Sequence, residues 1–252
     1  MLRHVAAVAI VAASVSACST SSSSSERIDT SDPNTAVRQA RESMAGLGSY
    51  HMQLTFSPED NSVTVPVDYD DGDYYEKITD PASGGVTELI MADSLYTRTC
   101  DGATCEPWIR KDSPVTTAGS PLGTKNRYSA PSLGGLTTTF PETLAFTAVE
   151  IATGWQALPG SPTILIGQVD LGQAVTENRT RAGNPPASGQ PSDSPLQPST
   201  IELTLSDSGP YFERVRIDLP GNELDPYFVA DFSKINDVSV EAPGEYTIEA
   251  SN

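Results

Sequence analysis

Apolar and polar residues follow one another along this chain with two different periods. Between residues 33 and 47, Val37, Ala40, Met44 and Leu47 recur three and four apart, which puts them on one face of a helix. Asp32 suits the N-cap, Pro33 the first turn, and Gly46 and Gly48 the stop, so a helix is expected over 33–47. The period then changes to two. Tyr50, Met52, Leu54 and Phe56 point one way while His51, Gln53 and Thr55 point the other, and Val63, Val65, Val67 and Tyr69 repeat the alternation. Asp70-Asp71-Gly72-Asp73 reads as a turn, and strands are expected at 74–79, 86–91, 95–99 and 108–110. The pattern predicts an antiparallel meander with one apolar face and one wet face. Farther on, 141–151 reads as a helix and 163–171 as a strand. Residues 182–199 hold five prolines among Ser, Gly and Gln and read as a flexible insertion. Strands return at 201–205, 211–219 and 227–232.

The first eighteen residues have a different character. Arg3 and His4 make a weakly basic start, residues 5–13 are apolar or small, and Val15-Ser16-Ala17-Cys18 follows. A basic start, a short apolar core and small residues before a cut site describe a secretory signal, whereas a membrane span needs about twenty apolar residues. Cysteine at the cut is the lipobox pattern of bacterial lipoproteins, in which the sulfur carries diacylglycerol. An ordinary signal peptide with cysteine at its boundary is the competing reading. The Ser-rich stretch over 19–25 suits a tether that lifts a folded domain off the bilayer. The expectation is a signal peptide over 1–17, lipid on Cys18 as the membrane attachment, and a lipidated tether over 18–32 on the extracytoplasmic face.

Charge narrows the partners. The 252-residue chain carries a formal net charge of −18, which argues against nucleic acid and against anionic lipid surfaces except through the anchor. Cys100 and Cys105, the two cysteines left after Cys18, flank Asp101-Gly102, a hairpin turn signal. Export implies an oxidising compartment, so a disulfide is expected. A redox-active pair is the sharper alternative, but its usual spacing is two intervening residues, and Asp101 and Glu106 beside the thiols raise a thiol pKa rather than lower it. Catalytic constellations are not apparent. His51 lies on the polar face of a strand without a metal-ligand partner at helical or hairpin spacing. The acidic run of Asp68, Asp70, Asp71 and Asp73 lacks the glycine and glutamate of a calcium loop and reads as a solvated turn. Neither an enzyme activity nor a cofactor nor a metal is expected.

The order of short motifs resembles a known family. Leu47-Gly48-Ser49-Tyr50 after the helix, Leu95-Tyr96-Thr97-Arg98 running into Trp108-Ile109-Arg110-Lys111, and Asp231-Phe232-Ser233-Lys234 before Val238-Ser239-Val240-Glu241-Ala242-Pro243 are similar to the LppX/LprA/LprF/LprG lipoproteins and the wider LolA/LolB-like group. The resemblance covers about residues 33–111 and 201–243. It implies an α+β, mainly antiparallel β domain over 33–252: a curved half-barrel sheet with a few helices on its concave face and an apolar cavity between them for acyl chains. The ligand it implies is a lipid, a glycolipid or a lipidated molecule, bound or carried across the envelope. The alternative is a non-catalytic surface lipoprotein that binds another envelope protein. Residues expected to line the cavity are Met52, Leu54, Phe56, Val65, Val67, Leu89, Met91, Leu203, Leu205, Val215, Ile217 and Phe228. A closed core with no cavity presents the same alternation.

Overall fold

The computed structural model describes residues 27–57, 63–79, 84–92, 94–111, 141–181, 198–218 and 227–248. The first helix, α1 (Pro33–Ala45), begins where its caps predict. The Asp32 carboxylate accepts hydrogen bonds from the Thr35 hydroxyl at 2.6 Å and the Asn34 backbone N–H at 3.2 Å, satisfying donors that a first turn leaves open. These bonds, the Thr35 hydroxyl foremost, hold the Asp32 carboxyl below the usual carboxylate range. The helix stops two residues before the expected end because the Gly46 N–H folds back onto the Ser43 carbonyl.

Five strands then run as a meander: β1 (Ser49–Ser57), β2 (Val63–Asp70), β3 (Asp73–Thr79), β4 (Val86–Met91) and β5 (Leu95–Asp101). Two short strands, β6 (Thr104–Cys105) and β7 (Ile109–Lys111), both pair with β5. The turn between β2 and β3 places Asp71 and Gly72 at φ 44° and 97°, the left-handed pair that a two-residue hairpin favours. After α2 (Pro141–Ile151) come β8 (Thr153–Leu158), β9 (Ser161–Val169) and α3 (Leu171–Arg181), followed by β10 (Ser199–Leu205), β11 (Phe212–Asp218), β12 (Tyr227–Ser233) and β13 (Thr247–Ile248). The spatial order is β13-β7-β5-β4-β3-β2-β1-β12-β11-β10-β9-β8. All pairings are antiparallel except β13 on β7. The N-terminal meander and the C-terminal strands meet where β1 lies against β12.

The result is the expected class, an α+β fold dominated by an open, curled antiparallel sheet. Its curl is evident from α1, which touches β11 near the middle of the sheet and also β8 at its edge. One row of side chains crosses six strands at matching register: Val65, Leu54, Ala230, Val215, Leu203 and Leu165, all buried under the helices. Each large side chain buried this way stabilises by roughly 1.5–3 kcal/mol.

Three differences from the expected elements have identifiable physical causes. The strand expected over 163–171 starts at Ser161 and ends at Val169, because the Asp170 side chain accepts from the Gln173 N–H at 3.0 Å and caps α3. Strand β8 was not expected: its only buried side chain, Trp155, lies across Gly167, where a Cβ would come within 3.0 Å of the ring. The outer face of the meander is not uniformly wet either. Residues 234–248 cross it as a strap, tied by the Asn236 N–H to the Ser49 carbonyl, by the Val240 N–H to the Asp70 carboxylate and by the Thr247 N–H to the Trp108 carbonyl. Beneath the strap Ile90, Ala92, Tyr96 and Val240 form a second small core. Strands β4 and β5 carry apolar residues on both faces, Ile90 and Tyr96 outward and Leu89 and Leu95 inward, so both faces have something to cover.

Candidate functional site

The concave face of the sheet carries the residues expected to line a ligand cavity. On β1, β2, β10, β11 and β12 every one of them is buried, from Met52 and Leu54 through Val65, Val67, Leu203, Val215 and Ile217, and none is more than 5% exposed. The rings of Phe56 and Phe228 pack at a tilt with centroids 5.0 Å apart at one end of the face. Leu205 belongs to the same cluster. Leu89 on β4 is half-buried against it, and the Met91 side chain lies outside the described residues.

Helix α2 is what closes the face. Its Phe146 ring sits among Tyr50, Phe212 and Phe232, with centroids 6.2, 5.8 and 5.4 Å away, so one side chain pins the helix to three strands. The rest of its buried surface is small or branched: Leu144, Ala145, Ala148 and Val149. Thr147 is fully buried, and its hydroxyl has no hydrogen-bond partner among the described residues.

Toward β3–β7 the cover thins. The row that begins with Met52 and Val67 continues through Glu76, Leu89, Thr97 and Ile109, and the last three are half-buried, as is Ile78. Glu76 itself is 6% exposed. It stands two residues from Tyr74 and from Ile78, on the core-facing side of β3. Sequence reasoning did not single it out, although a carboxylate at an inward position of an alternating strand was visible in Tyr74-Glu76-Ile78.

A cavity of about 600 Å³ lies elsewhere, on the solvent side of α1 where the chain arrives from its N-terminal segment. Arg27, Asp29, Gln39, Glu42 and Ser43 line it with Ile28 and Pro210. None of the residues expected to face a ligand takes part, and its charged lining does not suit hydrocarbon.

The outer face holds the polar contacts. His51, expected as a plain surface histidine, is half-buried with its Nδ1 2.6 Å from the Asp68 carboxylate. Glu88 is buried and accepts from the Arg98 guanidinium at 2.6 Å, and Arg98 lies 4.4 Å over the Trp108 ring. Burial pushes the Tyr75 hydroxyl up to about 12, with the neighbouring Glu88 carboxylate as the next cause. These contacts join neighbouring strands across the outer face of the meander. Cys100 and Cys105 face each other across β5 and β6 and are joined as a disulfide. Among the described residues no group of three or more His, Cys, Asp or Glu is placed to hold a metal ion, and no helix is long and apolar enough to cross a membrane. Residues 1–26, which include the signal segment, Cys18 and most of the tether, and residues 182–197 of the insertion lie outside the described residues.

No protein-family model and no curated protein matches the chain. Solved structures do. LprF from Mycobacterium bovis is 15% identical over 84% of this chain and 96% of its own, with a TM-score of 0.43. A LolA superfamily protein from Nitrosomonas europaea is 10% identical over 83% of this chain and 95% of its own, with a TM-score of 0.29. A DUF1329 family protein from Desulfovibrio piger is also 10% identical, over 83% and 95%, with a TM-score of 0.31.

Proposed function

We propose that the chain is an envelope lipoprotein that takes the acyl chains of a lipid, glycolipid or lipidated molecule against the concave face of its sheet. In this reading residues 1–17 are removed on export, Cys18 carries the membrane anchor, and residues 33–252 form one carrier domain. One observation supports the acyl site most directly. The same apolar face is closed under α1 and α2 on β1, β2 and β10–β12, and only half-buried at Ile78, Leu89, Thr97 and Ile109. Hydrocarbon laid along that half gains about 0.8 kcal/mol for each buried CH₂. Because α2 is held by one aromatic anchor and otherwise by small or branched aliphatic side chains, its displacement extends the site toward β1 without breaking the sheet.

The test is native mass spectrometry of the full chain in detergent, offered envelope lipid extract. Wild type is expected to retain lipid, and Leu89→Trp to lose it while circular dichroism stays unchanged. A wild-type protein free of lipid, or a Leu89→Trp variant that binds as wild type does, rejects the reading. A second reading, a non-catalytic surface protein with an envelope protein partner, draws on a different observation. Among the described residues the exposed large hydrophobics are Tyr246 and Ile248, at 40% and 61%, beside and on β13, the last strand of the sheet on that side, and an edge strand is where a partner strand can pair.

A further inference from the structure

The two exposed large hydrophobics among the described residues, Tyr246 and Ile248, stand together at one edge of the sheet. Strand β13 pairs Thr247 with Ile109 and Ile248 with Arg110. Alternation therefore puts Tyr246 and Ile248 on one side of the edge and Thr247 on the other, beside Ile109. Tyr246 is exposed yet held: its ring meets Tyr96 with centroids 5.2 Å apart, and its hydroxyl accepts from the Arg110 guanidinium at 3.2 Å. A ring already ordered in this way loses little freedom when a surface covers it. Trp108 adjoins the pair, its carbonyl accepting from the Thr247 N–H at 2.8 Å. The neighbouring charges are of both signs, Arg98 and Arg110 over the Trp108 and Tyr246 rings against exposed Glu106 and Glu245.

What meets this edge follows from where the chain is anchored. The register row through Ile248 and Arg110 crosses the meander to His51 and Ser233, at the end of β12 that adjoins the turn between β10 and β11. Pro210 of that turn lines the cavity with Arg27 and Ile28, so the described chain begins at the same end of the strands as Ile248. From Cys18 to Arg27 the chain advances nine residues, which at about 3.3–3.6 Å each reaches roughly 30 Å at most. Resting on the anchored-carrier reading above, we propose that the β13 edge is the membrane-docking surface of the protein, where Tyr246 and Ile248 enter the interfacial layer of a bilayer with net-neutral headgroups. Tyrosine suits that layer because its ring is apolar and its hydroxyl wet. The mixed local charges and the net charge of −18 disfavour an anionic surface. The half-open stretch of the concave face ends at Ile109, one strand in from this edge, so docking brings the mouth of the acyl site to the lipid.

The experiment places the acylated full chain in dioleoylphosphatidylcholine vesicles that carry a nitroxide on a fraction of their headgroups, and reads tryptophan emission. The chain has two tryptophans, Trp108 at the docking edge and Trp155 buried on β8 at the opposite edge of the sheet. Trp155→Phe and Trp108→Phe isolate one signal from the other. Trp108 is expected to lose roughly half of its emission to the nitroxide and Trp155 almost none, as shallow immersion of one edge requires. Tyr246→Ser with Ile248→Ser and, independently, Ile248→Asp are expected to abolish the Trp108 quenching while flotation shows the protein still bound through its anchor. Equal quenching of both tryptophans, or variants quenched as wild type is, overturns the docking surface and leaves the anchor standing. An unquenched Trp108 on floating protein does the same and favours the partner-strand reading. Protein that fails to float rejects anchor and proposal together, and failure of the acyl site is read separately by native mass spectrometry. Loss of native circular dichroism in both variants assigns the pair to the framework and overturns the proposal as well.

Discussion

The two halves of the concave face are built from the same alternation and end in different states. On β10–β12 and β1–β2 the inward residues meet helices: Leu203 and Val215 are fully buried, and Phe146 of α2 fills the space between Tyr50 and Phe232. On β3–β5 the inward residues are more mixed, Glu76 and Thr97 among Ile78 and Leu89, and all but Glu76 in that set are half-buried. The strap across the outer face belongs to this second half, so β3–β5 are anchored from the back while their front is less covered. Burial and exposure are thus divided along one sheet, with the closed half carrying most of the core.

The division is open to measurement. The largest effect is expected at the helix anchor: Phe146→Ala removes the ring shared by three strands and should lower stability by about 3–5 kcal/mol in denaturant titration. A loss below about 1 kcal/mol would place α2 outside the core and dissolve the contrast between the halves. Leu203→Trp, at a position with no exposed surface, should overpack the closed half and cost about 1–3 kcal/mol. The Cys100→Ser, Cys105→Ser double variant opens a loop of a few residues and should lose about 2 kcal/mol or less, with peptide mapping of the wild type showing the two joined. Leu89→Trp, on the half-buried side, should cost under about 1 kcal/mol, because the added ring has room that Leu203 lacks. An equal penalty at Leu89 and Leu203 would show the two halves to be packed alike.

The smallest effect is at the back of the open half. Tyr75 is pushed up from its ordinary 10.0 to about 12, so the folded protein holds its proton where the unfolded chain releases it. Its contribution to stability is therefore complete below pH 10 and declines as pH rises from there toward about 12. The phenolate absorbance lost in Tyr75→Phe should appear late in the titration of the native protein. Appearance at the ordinary pH would show that the strap does not bury this face.

Much of this architecture was legible because it is local. The helix at 33–45 follows from Asp32, Pro33 and Gly46, and the hairpins follow from Asp71-Gly72 and Asp101-Gly102, each acting within a few residues. Alternation in Tyr50-Met52-Leu54-Phe56 and in Val65-Val67-Tyr69 assigned the core-facing side of β1 and β2, since a one-residue slip would turn every one of those side chains outward. Strand β8 and helix α3 left weak traces. In β8 a single buried Trp155 does the packing, and in α3 Leu171 and Ala174 face inward without a sustained apolar stripe.

Composition and alternation by themselves determined that this chain forms an antiparallel sheet with one strongly apolar face, that Asp32 starts a helix, and that 100 and 105 oppose each other. Only the tertiary structure decided which parts of the apolar face are covered. Coverage depends on where α2 and the strap 234–248 come to rest, and those contacts join residues such as Phe146 with Tyr50, or Val240 with Asp70, that lie about a hundred positions or more apart. Period-two spacing records which way a side chain points and not what it meets there. For that reason Glu76 reads in the sequence as one more strand carboxylate, and in the fold as a buried side chain beside the half-open side of the core.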